Sequence, residues 1–289
     1  MRARTRDLYS RMIRLDTLLL AIDASPYAEA AAHYAAFFSQ QLKLPLEVLH
    51  VLDSRAAGTP ASFDVAVDDA MMTPQFDASI QEVLEARADE LRVHMNATLR
   101  RLGLSAEVEL TSGGPAGAIL ERAGARTLSV LGKEGEAAEL GGTTRLGSVA
   151  ERVVRRAEGA VLLVPPRFSK PERVVLGYDG SGGAEAALEY TLALAQRLKV
   201  PVLALSAQDD EAAAQAQLGT VRARTEREGL RLETEYRYGD PAEAILSATR
   251  EGDLIAIGAF GAGRLAEFFH GSTTGTIIRQ SNVPVLLHH

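Results

Sequence analysis

Two glycine-rich stretches in this chain of 289 residues have the residue types and spacing of a phosphate-binding loop. The clearer one begins with the apolar run Leu254 to Ile257, which ends in Gly258 and Gly261; nine residues then separate Gly261 from Gly271-Ser272 at the start of a helical pattern. Glycines let the backbone approach a ligand closely, and a helix N-terminus offers unpaired N–H groups. This strand, loop and helix start therefore predict a cradle for phosphate oxygens.

The same pattern occurs earlier in the chain, and a carboxylate accompanies each copy. Gly132 and Gly135 lie 126 residues before the two glycines of the clearer loop. Asp23 and Asp179, each at the end of a short apolar run, stand 156 residues apart. The change of offset indicates that thirty residues are inserted in the first copy. Self-similarity of this kind predicts two copies of one domain.

The two copies are predicted to be domains over residues 13–166 and 171–289, joined by a proline-rich stretch at 165–171. The insertion falls at about 52–79, and a loop of this length is usually a lid, an interface or a disordered segment. Its apolar side chains favour packing against another surface; they are Phe63, Val65, Val67, Met71 and Met72.

Apolar runs of strand length alternate with helical patterns in each copy. The order βαβαβαβαβ predicts a parallel sheet with helices on both faces. Right-handed crossovers bring the carboxyl ends of all the strands to one edge, where ligands bind in open α/β sheets. Asp179 and Gly258 are therefore expected to meet at that edge in the second copy, and Asp23 and Gly132 in the first.

The second glycine loop, paired with an aspartate after the first strand, resembles the motif of the ATP-binding universal stress proteins. The resemblance covers both copies. It implies two doubly wound, five-stranded, parallel-sheet domains in tandem, Rossmann-like, with strand order 3-2-1-4-5. It also implies a stress-response role and either a homodimer or an internal pseudo-dimer, and the absence of cysteine fits a reducing cytoplasm. In an internal pair, the last strands, Val161 to Val164 and Val285 to Leu287, would be neighbours.

The same resemblance implies which residues contact ATP. In the second copy, Asp179 would contact the adenosine end and the backbone around Ala207 would line the adenine pocket. Ile257, Gly258, Phe260 and Gly261 would flank the ribose and phosphates, and the triphosphate would lie on Gly271, Ser272, Thr273 and Thr274. The matching residues of the first copy are Asp23, Val51, Gly132, Gly135, Gly147 and Ser148.

The first copy departs from this pattern. Eleven residues, instead of nine, separate Gly135 from Gly147. Three acidic residues, Glu134, Glu136 and Glu139, put negative charge near the expected phosphates, which lowers affinity for ATP. Lys133 and Arg145 are expected to offset that charge. The sequence leaves ATP binding by the first copy open.

Composition excludes several other classes of protein. A formal net charge of −7 argues against binding to nucleic acid, and no apolar run reaches the ~20 residues of a membrane span. The absence of cysteine excludes disulfides, and no other side chains have the spacing of a dedicated metal site. Any Mg²⁺ is expected to arrive with the nucleotide.

Three functions compete at this point. The first is a regulatory ATP-binding protein with at most slow hydrolysis, because no catalytic base and nucleophile can be nominated. The second is an interaction module of the same fold that binds no nucleotide. The third, an ATP-consuming transferase or synthetase, needs a base that the sequence does not offer. Gly261 to Ala266 also imitates a dinucleotide-binding motif, but no acidic residue follows at the required distance.

Overall fold

The computed structural model describes residues 15–53, 74–135, 147–259 and 273–288. These residues form ten strands and eight helices. None of the helices in these ranges is long and apolar enough to cross a membrane.

The two halves repeat one order of elements. The first half contains β1 (Thr17–Ile22), α1 (Tyr27–Leu42), β2 (Leu46–Leu52), α2 (Pro74–Arg101), β3 (Val108–Ser112), α3 (Pro115–Arg122), β4 (Thr127–Gly132), α4 (Ser148–Arg156) and β5 (Ala160–Val164). The second half contains β6 (Arg173–Gly177), α5 (Gly182–Leu198), β7 (Val202–Ala207), α6 (Glu211–Glu228), β8 (Leu232–Arg237), α7 (Pro241–Ala248), β9 (Asp253–Gly258), α8 (Thr273–Gln280) and β10 (Val285–His288).

The ten strands make one continuous sheet in the order β3-β2-β1-β4-β5-β10-β9-β6-β7-β8. Within each half the paired strands are parallel, and each half has the predicted order 3-2-1-4-5. The halves join where β5 and β10 pair antiparallel, with Leu162 opposite Leu286. The prediction that the last strands are neighbours is therefore confirmed.

In each half, we call the edge at the carboxyl ends of the parallel strands the ligand edge, because ligands bind there in open α/β sheets. The antiparallel junction places the two ligand edges at opposite ends of the strands. Parallel strands within a half all end at the same edge of the sheet, and the strands of the other half run the opposite way. Helices cover both faces, as predicted. One buried cluster packs α1, α2, α5 and α6 on one face, and a second packs α3, α4, α7 and α8 on the other.

The repeat extends to local backbone conformation. Helices α1 and α5 both end at a lysine in the left-handed region, with φ of 57° at Lys43 and 59° at Lys199. Lysine is an unusual residue for this conformation. Its occurrence at matching positions indicates that the two halves share their connections as well as their strands.

The predicted insertion at 52–79 does not remain a loop to its end. Helix α2 begins at Pro74, so residues 74–79 are helical. The five apolar residues that were expected to pack on another surface lie outside the described residues. The helix is 28 residues long, against 18 for α6 at the matching position of the second half. Part of the added length therefore extends a helix that both halves possess.

One buried ion pair distinguishes the second half. The Asp253 carboxylate accepts hydrogen bonds from Nε of Arg173, at 2.9 Å, and from Nη2, at 2.6 Å, and only 1% of its side chain is exposed. It also accepts the N–H of Arg250, at 2.8 Å. The first half has Thr17 and Thr127 at the matching positions, so these strands pair there without a buried charge.

We expect Asp253→Asn to lower the free energy of unfolding by about 3 kcal/mol, because the Arg173 guanidinium loses its compensating charge. Urea denaturation followed by circular dichroism measures this. The matched variant in the first half, Thr127→Val, removes only one long side-chain hydrogen bond to Arg122 and should cost less than about 1 kcal/mol. Equal losses of unfolding free energy in the two variants would contradict the stabilising role of the buried ion pair between Arg173 and Asp253.

Candidate functional site

Strand register brings the predicted residues of the second half to one edge of the sheet. Gly177 pairs with Leu205 on β7, and Leu176 pairs with Ala256 on β9. Two residues beyond Gly177 and Leu205 lie Asp179 and Ala207, and directly after Ala256 lies the Ile257-Gly258 pair. The aspartate therefore lies between the carboxyl ends of β7 and β9.

The Asp179 carboxylate is exposed, and only part of its hydrogen-bonding capacity is used. Its Oδ1 accepts the N–H of Ser181, at 2.9 Å. The Ser181 hydroxyl in turn accepts the N–H of Ala184 and so caps helix α5. Among the described residues, Oδ2 of Asp179 has no partner. Asp179 thus shapes the turn before the helix and still presents an oxygen to the solvent.

Gly258 is required by close packing at the end of β9. A β-carbon added there would lie 2.4 Å from the carbonyl carbon of Gly183 and 2.8 Å from the nitrogen of Ala184. Real Cβ atoms do not approach other atoms so closely. The strand end therefore lies directly against the first turn of α5, beside the turn that holds Asp179.

Gln217 on α6 connects the two loops at this edge, and the sequence analysis missed it. Its Nε2 donates to the carbonyl oxygen of Asp179, at 2.9 Å. Its Oε1 accepts from the Ser206 hydroxyl, at 3.0 Å, and from Nε2 of Gln208, at 3.2 Å. The matching residue of the first half is Leu91. A polar residue in one copy where the other has an apolar one is the sequence signal that could have identified Gln217.

Several predicted phosphate ligands fall outside the described residues: Phe260, Gly261, Gly271 and Ser272. Thr273 and Thr274 are the first two residues of α8 and are partly buried. The helix runs back from the carboxyl end of β9 to the start of β10, because these two strands are parallel. Its N-terminus is therefore at the ligand edge of the second half, and its C-terminus is at the other edge.

In the first half the predicted residues converge more tightly. A β-carbon added at Gly135 would lie 2.7 Å from Oδ2 of Asp23, and one added at Gly147 would lie 3.1 Å from the nitrogen of Gly135. Val51 follows His50, which pairs with Ile22, so it lies beside Asp23. Ser148 is the first residue of α4. The glycine loop of this half thus lies against the aspartate.

A tyrosine and a glutamate occupy the same region of the first half. A β-carbon added at Gly132 would lie 2.6 Å from Cβ of Tyr27, whose counterpart in the second half is Gly183. Burial, the charge of Glu134 and a hydrogen bond to Glu134 together raise the pKa of Tyr27 to about 12. Glu134 is therefore held as an acceptor within the glycine loop, close to the expected phosphate position.

Lys133 interacts with the negative charge of Glu134, in keeping with the prediction that it offsets acidic charge in this loop: burial lowers the pKa of Lys133, and the charge of Glu134 raises it. Its Nζ donates to the carbonyl oxygens of Ser281, at 2.9 Å, and Arg279, at 3.2 Å, in the other half of the chain. Arg145, the other expected cation, lies outside the described residues. No group of three histidine or carboxylate side chains that would hold a metal ion is found in the ranges that the structure describes.

The fold and the two ligand edges define a class: a tandem α/β protein of the doubly wound type. Comparison with known proteins identifies the family. The universal stress protein family model matches residues 15–165 and again 171–289, so the chain belongs to the universal stress protein family.

Similar proteins cover the full tandem. A universal stress protein of Synechocystis is 26% identical over 94% of this chain and 99% of its own length. One from Mycobacterium tuberculosis is 26% identical over 93% of this chain and 96% of its own. The crystal structure of a universal stress protein from Archaeoglobus fulgidus covers 95% of this chain and 96% of its own, with a TM-score of 0.70 and 21% identity. This last similarity concerns the fold.

We expect Gly258→Ala to lower the free energy of unfolding by about 1–3 kcal/mol, because the new methyl group forces β9 away from α5. Thermal and urea denaturation measure the change. Gly219→Ala is the matched control, since that glycine lies inside α6 with no atom within 4 Å of an added β-carbon. It should raise stability by up to about 1 kcal/mol. An unchanged stability of Gly258→Ala would contradict the close approach to Gly183.

Proposed function

We propose that the second half of this universal stress protein binds ATP and that the chain is a nucleotide-responsive regulator in a stress response. One observation carries the proposal: an exposed aspartate, one of whose carboxylate oxygens has no partner among the described residues, follows β6, next to the strand that leads into the glycine loop. That loop has the Gly-x2-Gly-x9-Gly-Ser spacing and ends at the N-terminus of α8. In our proposal adenosine lies against Asp179 and Ala207, and the phosphates lie towards α8.

Electrostatics support the N-terminus of α8 as the phosphate end of the site. The N-terminus of a helix carries partial positive charge and unpaired N–H groups, both of which favour anions. Thr273 and Thr274 add hydroxyl donors at this position. Asp179, which follows the neighbouring strand β6, is assigned to the opposite, adenosine end of the nucleotide.

The first half is proposed not to bind ATP. Its glycine loop already lies against Asp23, and the position of Gly135 leaves only 2.7 Å between an added β-carbon and the carboxylate. Glu134, held by Tyr27, adds negative charge where phosphates would bind. Lys133 interacts with this charge, but its ammonium group donates its hydrogen bonds to carbonyls of the other half. We therefore expect one ATP per chain.

The proposal includes no fast catalysis. We nominate no general base, because the sequence offers no catalytic base paired with a nucleophile. Hydrolysis, where it occurs, would be slow, and Mg²⁺ would enter with the nucleotide. The role of the protein would follow from its nucleotide state.

The stoichiometry is tested by mass spectrometry of the nucleotide released from denatured protein, followed by ATP titration calorimetry. We expect about one ATP per chain. Asp179→Ala should weaken binding by about 1–3 kcal/mol, or roughly 5- to 150-fold, because it removes a charged acceptor at the adenosine end. Asp23→Ala, the matched change in the first half, should leave the ATP affinity unchanged.

Other outcomes are informative. Two ATP per chain would refute the proposed inactivity of the first half. The reverse pattern, with loss only in Asp23→Ala, would move the site to that half. No ATP binding to the wild-type chain at millimolar ATP would favour an interaction module that does not use nucleotide.

A further inference from the structure

Lys133 connects the glycine loop of the first half to the last helix of the second. Its own backbone is fixed at both ends: its N–H donates to Val164, at 3.1 Å, and its carbonyl accepts the N–H of Gly147, at 3.0 Å. The residue is 8% exposed, and its side chain ends on the carbonyl oxygens of Arg279 and Ser281. One residue therefore joins the end of β5, the start of α4 and the end of α8.

The partners of the ammonium group are the carbonyls at the C-terminus of α8. The last carbonyls of a helix have no partners within it, and they form the negative end of its dipole. A buried cation is costly unless it is hydrogen-bonded, and burial lowers the pKa of Lys133. The two carbonyls offset that cost with charge-assisted hydrogen bonds. The position of this helix end is thus linked to the position of Lys133.

The repeat shows that the fold does not need this contact twice. Ala259 is the counterpart of Lys133, and its N–H donates to His288, at 2.8 Å, as that of Lys133 donates to Val164. The counterpart of Ser281 is Ala157, at the end of α4. The backbone arrangement is therefore shared, whereas the lysine occurs on one side only.

The lysine contact is made to the half that is proposed to bind ATP. The helix that Lys133 holds is α8, whose N-terminal residues Thr273 and Thr274 are proposed to bind the phosphates. The eight residues of α8 span about 12 Å, so its end at Lys133 and its proposed phosphate-binding end are that far apart. Its counterpart α4, which belongs to the half proposed not to bind ATP, is not held by a lysine from across the junction.

We infer that Lys133 is a positioning residue for the phosphate end of the second-half site, and that it couples this site to the glycine loop of the first half. The inference rests on the proposed ATP binding. Lys133 holds the far end of α8 and thereby sets where its N-terminal N–H groups lie. Phosphate binding at that N-terminus in turn restrains α8, Lys133 and, through Gly147, the start of α4. Coupling between two sites is reciprocal.

A purely structural role for Lys133 makes a different prediction. If the lysine only holds the two halves together, its loss lowers stability and affects all ligands of the site alike. If it positions α8, its loss weakens ligands that have phosphates and leaves adenosine unaffected. The comparison of ATP with adenosine therefore separates the two roles.

The experiment uses calorimetric titration of the full chain with ATP and with adenosine. Lys133→Met keeps the apolar stem of the side chain and removes the ammonium group. We expect its affinity for ATP to fall about tenfold, within the usual range for coupled sites, and its affinity for adenosine to stay within twofold of wild type. Lys170→Met, at an exposed lysine in the segment between the halves, is the control and should change neither affinity.

Hydrogen exchange measures the coupling directly. In the wild type, ATP should slow exchange in peptides that cover residues 273–288 and also in those that cover 128–135 and 147–156. In Lys133→Met at saturating ATP, protection should remain in the first set and disappear from the second. Should this variant fail to fold, Lys133→Gln, which retains an N–H donor without the charge, is measured in the same way.

The outcomes distinguish this inference from the proposed function. An equal loss of ATP and adenosine affinity, or no loss of either, would overturn the positioning role. Protection of the first half that persists in Lys133→Met would overturn the coupling. Absence of ATP binding to the wild-type chain would refute the proposed function itself, and the inference with it.

Discussion

The antiparallel pairing of β5 with β10 is the interaction on which the rest of the molecule depends. The paired residues of both strands are apolar, and every residue of β5 is buried. Left unpaired, each would expose an apolar strand edge, which folded proteins avoid. The pairing removes both edges and builds one sheet of ten strands. It also turns the two halves in opposite directions, which separates the two ligand edges. Because β10 is parallel to β9, α8 runs from one of these edges to the other.

Within this common frame, the two copies differ in a small number of side chains at the ligand edges. The second half has glycine at 183 where the first has Tyr27, so Gly258 at the end of β9 lies directly against the first turn of α5. It also has a polar network around Gln217 where the first half has Leu91. Sheet pairing constrains the backbone of both halves alike, whereas it does not constrain which side chains lie at the ligand edges. The proposed difference in ATP binding between the halves is therefore attributed to these side chains.

The fold could be predicted almost completely from the sequence because the evidence for it is repeated. Constant offsets between landmarks such as Asp23 and Asp179 identify two domains, and the order of apolar runs identifies a parallel sheet. The resemblance supplied the strand order and the pairing of the last strands. The contacts of Lys133 and Gln217 were not predictable in this way. Each depends on the tertiary position of residues far away in the chain, and local periodicity carries no information about them.

Lys133 also bears on why the halves join in one register. A slip of two residues between β5 and β10 would keep every side chain on the same face of the sheet. Because the paired residues are apolar on both faces, their side chains do little to oppose such a slip. Such a slip would move the second half by about 7 Å along β5. The end of α8 would then lie beyond reach of Lys133, and a buried ammonium group would lose both of its acceptors. Because an unpaired buried charge is costly, the lysine penalises the alternative registers even where it adds little to the stability of the correct one.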